Sequence, residues 1–446
     1  MSTGFTKREL ISKQILGAGL GVSALALLAQ TQNASAQTAF TNFPFSATGA
    51  TAARTMPDRL ADVKNVKDFG ATGNGATDDT AAIQAAVNSF GNFAGMIFFP
   101  PGNYKISSAI TFSTTSEAGI VFQGCGMASQ ILGSFNDYLI KINGSSGVGE
   151  CYFVQDLSLH NTGALGGGIY FTGVVGMGVF RCKVQAFHCV TQDVVTEAFS
   201  CRDCTFFATP GRPTGSWGVM TWGSAAVVDS CIFQAFDQCI RAAGGGFVFS
   251  NNRMEGNINT GIFLGLDASG SGQSVANCSI ISCTFEACGV SIDAGNIAGG
   301  CIENCQCNLT TNAPGGVGSY GIRIRSGNNY TIRNTAITQS GTTYSVAGLS
   351  IESQNLHVII ENTLFPSFKL SDPRFSPIFI NCSVPEGRQP TTFANRPTNP
   401  VQGIKYVFTD STVNTFGATV AGRGSHTVEA VFGSDSIWRV TQQLSV

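Results

Sequence analysis

The stretch SCTFEACG, Ser282–Gly289, decides the fold. Cys283 and Phe285 alternate as on the inner face of a strand, which puts Thr284 and Glu286 on the opposite face. The same unit recurs as Leu157/Leu159, Cys182/Val184, Cys204/Phe206, Cys231/Phe233, Asn252/Met254, Cys305/Cys307 and Thr335/Ile337. A second unit follows within each repeat, a glycine leading an alternating apolar pair. It reads GIYF from Gly168, GVMTW from Gly218, GIFLGL from Gly261, GVSID from Gly289, GIRIR from Gly321 and GLSIE from Gly348. Period-two strands parted by Gly, Asn and Ser turns, repeating at roughly twenty to thirty residues, mark a parallel β-solenoid. Equivalent residues on successive coils then stack about 4.8 Å apart.

Composition agrees with an all-β chain. Of 446 residues, 54 are Gly and 33 Phe, only 12% are charged, and the net charge is −2. So few basic residues exclude a nucleic-acid binder or an anionic-membrane binder, which needs a basic face. The abundant Phe excludes a disordered chain. The 15 cysteines read as packing. Cys182, Cys204, Cys231, Cys283 and Cys305 fall in one inward column that Asn252 interrupts, and reduced thiols suit such a stack. The lone CxxC, Cys201–Cys204, has no partner motif at zinc spacing, so neither a metal nor a cofactor is expected.

The first residues read as an address. Lys7 and Arg8 precede an apolar run, Ile15–Ala29, and ASAQ at Ala34–Gln37 offers a cleavage site. TKRELISK, Thr6–Lys13, is similar to a twin-arginine signal with Lys in place of the first Arg. Residues 1–36 are expected to be a signal peptide for secretion or periplasmic export, leaving no membrane anchor in the mature chain.

Val63–Val87, VKNVKDFGATGNGATDDTAAIQAAV, followed by IFFPPGNYKIS at Ile97–Ser107, resembles the N-terminal segment of the pectate-lyase-like superfamily. The preceding Ala47–Val63 looks like the entry segment of its tailspike-type members. The resemblance implies a right-handed parallel β-helix, a polysaccharide substrate lying in a groove along the outer coils and, through the tailspikes, a homotrimer. Thr77 or Asp78 is expected to cap a short helix over the end of the solenoid. The expected organisation is an entry segment at 37–62, the β-helix at 63–383, a Pro-rich linker at 384–400 and a small β-rich module at 401–446.

With Cys283 and Phe285 inward, Gln185, Phe207, Gln234, Glu255, Glu286, Asn308 and Thr338 line one outer ladder. Glu255 and Glu286 belong to consecutive coils, because the 31-residue step from Asn252 to Cys283 is one repeat. Carboxyls one coil apart suit an acid/base couple, and pairs about 5–5.5 Å apart typify retaining glycosidases. Asp237 and Gln234 extend this cluster, and Arg253 or Arg241 could instead neutralise it. A second outer ladder reads Thr172, Asp193, Trp222, Ala243, Gly265, Asp293, Arg325, Glu352. There Asp293 is either an acid/base group or part of a surface salt-bridge column. Arg323 or Arg325 could meet a uronate carboxylate, and Trp222 and Tyr170 could stack on sugar rings. The paired-aspartate and Gly-His-Gly motifs of polygalacturonases are absent, and His160, His188, His357 and His426 read as surface or turn residues. These readings favour an endo-acting glycoside hydrolase, then a polysaccharide lyase on a uronate polymer, then a non-catalytic carbohydrate-binding solenoid.

Overall fold

One corner of nine successive coils is made by a residue in left-handed conformation. Asp156, Arg181, Asp203, Ser230, Asn251, Ser282, Asn304, Asn334 and Asn362 all hold φ between 47° and 55°. Short polar side chains tolerate this conformation. Arg181 is the exception, and Asp156 on the preceding coil takes its guanidinium through two 2.7 Å hydrogen bonds. Each corner drives the next residue inward, so Leu157, Cys182, Cys204, Cys231, Asn252, Cys283, Cys305, Thr335 and Thr363 are all buried. Their carbonyls join the coils. Cys182 O, Cys204 O, Cys231 O, Asn252 O and Cys283 O each accept a 2.9 Å bond from a backbone amide of the next coil. Asn252 is the polar member of this column, and it is satisfied there. Its Oδ1 accepts from Cys231 N at 3.0 Å and its Nδ2 donates to Val228 O at 2.8 Å.

This is a parallel β-helix, seen here in a computed structural model. It describes residues 44–444 except 47, 92–93, 116–118, 149–150, 194–195, 212–213, 257, 266–274, 311–319, 341–347, 353–354, 366–367, 371–376, 383–391 and 397–404. The expected signal peptide, the start of the entry segment and most of the linker lie outside the described residues. Three walls run along the coil, and in each wall the strands pair in parallel with their counterparts on the coils before and after. The first wall includes Glu197–Arg202, Val227–Asp229, Gly244–Ser250 and Val275–Ile281. The second includes Thr205–Phe207, Ile232–Gln234 and Arg253–Glu255, and continues into the start of Thr284–Ala294. The third includes Trp217–Thr221, Gln238–Ala242 and Ile258–Leu264, and continues into the end of Thr284–Ala294. The enclosed core is a single apolar cluster from Val66 to Phe365. Aromatic rings stack within it, as Phe206 does on Phe233 at 5.0 Å.

A column of small residues lies where the second wall bends into the third. Gly168, Cys189, Gly218, Cys239, Gly261, Ser291 and Gly321 occupy equivalent places. A Cβ on Gly261 would sit 2.5 Å from Ser291 O, and one on Gly218 would sit 2.7 Å from Cys239 O. Close approach of neighbouring coils therefore excludes bulk at this corner.

The expected helix is present at Thr80–Asn88, burying Ile83, Ala86 and Val87. Its N-cap is Asp79 rather than Thr77 or Asp78. The Asp79 carboxylate is turned away from the helix to accept from Thr72 N at 2.7 Å and Gly73 N at 3.0 Å. Asp78 serves the first turn instead, accepting from Thr80 N at 3.0 Å. Its carboxyl is held down at about 2 by the Ser107 and Thr80 hydroxyls.

In the entry segment, Pro44–Phe45 pairs with Arg54–Thr55, and Thr55 caps a short helix, Met56–Leu60. The C-terminal residues form an antiparallel sheet of Lys405–Ser411, His426–Phe432 and Trp438–Gln443. Trp438 is buried there with Phe408, Val428 and Val440. Among the described residues, no helix is long and apolar enough to cross a membrane.

Candidate functional site on the outer walls

The second wall carries the carboxylate pair. Gln234 pairs with Glu255, and the register of Met254 with Phe285 sets Glu255 beside Glu286 on the next coil. Both side chains point outward, because Met254 and Phe285 are buried. One guanidinium reaches both carboxylates. Arg253 Nη2 lies 3.1 Å from Glu255 Oε2 and 3.5 Å from Glu286 Oε2. Gln234 Nε2 also donates to Glu255 Oε1 at 2.9 Å, so Glu255 is held by two donors. Glu286 has only the longer contact and keeps 42% of its side chain exposed.

Asp237 sits in the turn that leads from this wall to the third. Gly215 N donates to its Oδ2 at 2.8 Å and Asn259 Nδ2 to its Oδ1 at 3.0 Å. The same Gly215 binds a group that the sequence did not single out. Its carbonyl accepts from His188 Nε2 at 3.2 Å, which leaves Nδ1 as the unprotonated nitrogen. His188 lies flat on Trp217, with centroids 3.3 Å apart and planes within 8°. Burial pushes its imidazole down to about 4. It is therefore a packed neutral histidine and not an ordinary surface residue. Arg241, also buried, lies 6.0 Å over Trp217 and 5.8 Å over Phe263. Sequence reasoning missed the meeting of His188 with Trp217, and Arg241, expected as a neutraliser of the carboxylate pair, packs instead over Trp217 and Phe263 while Arg253 takes that role. The adjacent Gly218 repeat was the available signal.

The third wall requires one correction. Asp293 does not share a row with Gly265 and Arg325. It pairs with Phe263 and Arg323, in the row of Tyr170, Thr191, Met220 and Arg241. By sequence pattern Gly289 is the equivalent of Gly261, but Ser291 holds that place. A slip of two residues keeps every side chain on its own face, so alternation alone cannot detect it. The charges on this wall cross-pair between rows. Arg325 grips Asp293 with bonds of 2.9 and 2.5 Å, and Arg323 grips Glu352 with bonds of 2.9 and 3.1 Å. The Asp293 side chain is only 5% exposed.

The two aromatic candidates on this wall are partly committed elsewhere. Tyr170 donates to Asp193 Oδ2 at 2.7 Å and packs against Tyr138 at 5.1 Å. Burial and that carboxylate push its phenol up to about 12. Trp222 buries its indole Nε1 without a hydrogen-bond partner among the described residues. His188 and Trp217, both half-buried, form an aromatic shelf beside Asp237, and along the coil axis Trp217 lies two coils before Glu255 and three before Glu286. Among the described residues, the only side chains grouped closely enough for a metal are Cys201, Cys204 and Cys231, inside the coil and away from this face.

Comparison with known proteins bears on both fold and activity. The rhamnogalacturonase A/epimerase, pectate lyase-like family matches residues 63–293. The mannuronan C5-epimerase AlgE3 of Azotobacter vinelandii is 36% identical over 84 residues, 18% of this chain and 5% of its own length. Alginate lyase 7 of the same organism is 34% identical over 104 residues, 21% of this chain and 12% of its own. The chain thus spans only a small part of the curated relatives it matches. The family 28 exopolygalacturonase of Yersinia enterocolitica superposes with a TM-score of 0.50 at 13% identity, covering 72% of this chain and 77% of that one, and shares the fold.

Proposed function

The chain belongs to the rhamnogalacturonase A/epimerase, pectate lyase-like family, and on that premise we propose that it is an enzyme that cleaves a polysaccharide laid along its outer walls. The observation that carries this reading is the pair Glu255 and Glu286, side by side on consecutive coils, with the aromatic shelf of Trp217 on the adjoining wall two coils before Glu255. In the hydrolytic form of the proposal, Glu286, the loosely held carboxyl, gives its proton to the glycosidic oxygen as the C–O bond breaks. Glu255, fixed by Gln234 and Arg253, meets the positive charge developing at the anomeric carbon, and water completes the exchange. Asp237 and its turn border the sugar that rests on Trp217. Glu286→Gln and Glu255→Gln should each abolish release of new reducing ends while leaving the fold intact. Full activity in both variants would remove them as catalysts.

A second reading is elimination on a uronate polymer, favoured by the local likeness to an alginate lyase and to mannuronan epimerases. Arg241 would then face the uronate carboxylate, and the unprotonated Nδ1 of His188 would accept the proton from the neighbouring carbon. Mass spectrometry of the products separates the two, because hydrolysis adds one water to each cut and elimination leaves an unsaturated, ultraviolet-absorbing end. Binding on a glycan array without any product would support a non-catalytic, tailspike-like scaffold instead. We also propose export of the mature protein, which fractionation of the producing cell would test, and sedimentation would test the trimer.

A further inference from the structure

Three thiols converge inside the coil at the corner between the first and second walls. Cys201 is the last but one residue of the strand Glu197–Arg202, Cys204 follows around the left-handed corner at Asp203, and Cys231 takes the place of Cys204 on the next coil. All three are buried, and their Sγ atoms lie within 4.8 Å of one another, with Cys201 and Cys231 at 3.8 Å. From these positions we propose that Cys201, Cys204 and Cys231 form a three-thiolate site for one soft d10 cation, cuprous copper.

Packing alone accounts for Cys204 and Cys231, which belong to the corner column that cysteine fills elsewhere. It does not account for Cys201. That residue lies in a first-wall column whose other members, Val154, Val179, Val228, Phe249, Ile280 and Ile302, are all bulky. A thiol replaces a branched or aromatic side chain at the one coil where it meets two more thiols. The spacing suits a shared ion. Metal–sulfur bonds of about 2.3 Å put sulfurs about 3.8–4.0 Å apart around a three- or four-coordinate centre. No fourth His, Cys, Asp or Glu joins the group among the described residues. Zinc normally fills a fourth position, whereas thiolate sulfur also selects Cu(I). The backbone supplies one donor to the cluster, Cys182 N to Cys204 Sγ at 3.4 Å. Each thiol that ligates releases its proton to solvent, so uptake strengthens as pH rises.

The test uses the full chain, reduced and kept anaerobic, titrated with Cu(I) against the chromophoric competitor bicinchoninate. One equivalent is expected, with an X-ray absorption spectrum of three sulfurs at about 2.3 Å. Cys201→Val restores the residue found on both neighbouring coils, so it should fold and melt like the parent. It should lose copper affinity by more than about 100-fold, beyond the effect typical of a merely supporting contact. Cys189→Ala, which removes a buried thiol outside the cluster, should bind as the parent does. No stoichiometric uptake, oxygen or nitrogen ligands in the absorption spectrum, unchanged affinity in Cys201→Val, or one tightly held zinc in place of copper would each overturn the proposal.

Discussion

The second and third walls both present arginines to carboxylates, yet they do so in opposite ways. On the third wall two guanidinia are each matched to one carboxylate, Arg325 to Asp293 and Arg323 to Glu352, with two bonds in both pairs. On the second wall a single guanidinium, half exposed, is spread over Glu255 and Glu286 at 3.1 and 3.5 Å. Matched, shielded charges build a surface, and a substrate would have to break two good bonds to use them. Under-matched, wet charges contribute little to the fold and remain available to a ligand. This contrast moves Asp293 from the candidate acids to the framework and leaves Glu286 as the freest carboxylate of the set.

The contrast can be broken by mutation. The largest expected effect is on turnover. Glu286→Gln should lower the rate of chain cleavage by about 10²–10⁴-fold, the usual worth of a general acid, with the melting temperature unmoved. A comparable rate loss from Glu352→Gln would erase the distinction between the walls. Next is stability. Arg325→Met strips the buried Asp293 of its partner and should cost about 3–5 kcal/mol in denaturant unfolding. Third is pH. His188 is held neutral in the folded chain, down at about 4 against 6.5. The unfolded chain therefore binds the extra proton first, and stability should fall as pH drops from 6.5 towards 4. His188→Phe should flatten that part of the profile. The smallest effect is Arg253→Met, which should change stability by no more than about 1 kcal/mol. It should nevertheless shift the pH profile of cleavage, since it removes the cation beside both catalytic candidates.

The solenoid was legible in the sequence because alternation and the recurring corner position are local signals. The inward column from Cys182 to Cys305 and the neighbouring of Glu255 with Glu286 followed directly from them. The Asp, Asn or Ser that precedes most members of that column was equally visible and marks the left-handed corner, but hydrophobic alternation does not register it. The misplacement of Asp293 had a different origin. Thr284–Ala294 passes from the second wall into the third through Ala287, a left-handed residue where the register shifts, but alanine is no turn signal in the sequence, and Gly289 is a false landmark two residues early. The stack of His188 on Trp217 stayed hidden, and Arg241 was assigned the wrong partners, because their meeting depends on the bend between walls, a three-dimensional fact that no one-dimensional pattern carries.

The backbone corners set how such a molecule can change over generations. Successive corner positions lie 21 to 31 residues apart, yet each closes its rung with the same conformation and hands the chain on at the same spot. A gene segment encoding one rung could be duplicated or lost without disturbing the others, lengthening or shortening the outer walls. If the proposed function holds, the reach of the protein along a polymer is a heritable dimension, adjustable one rung at a time.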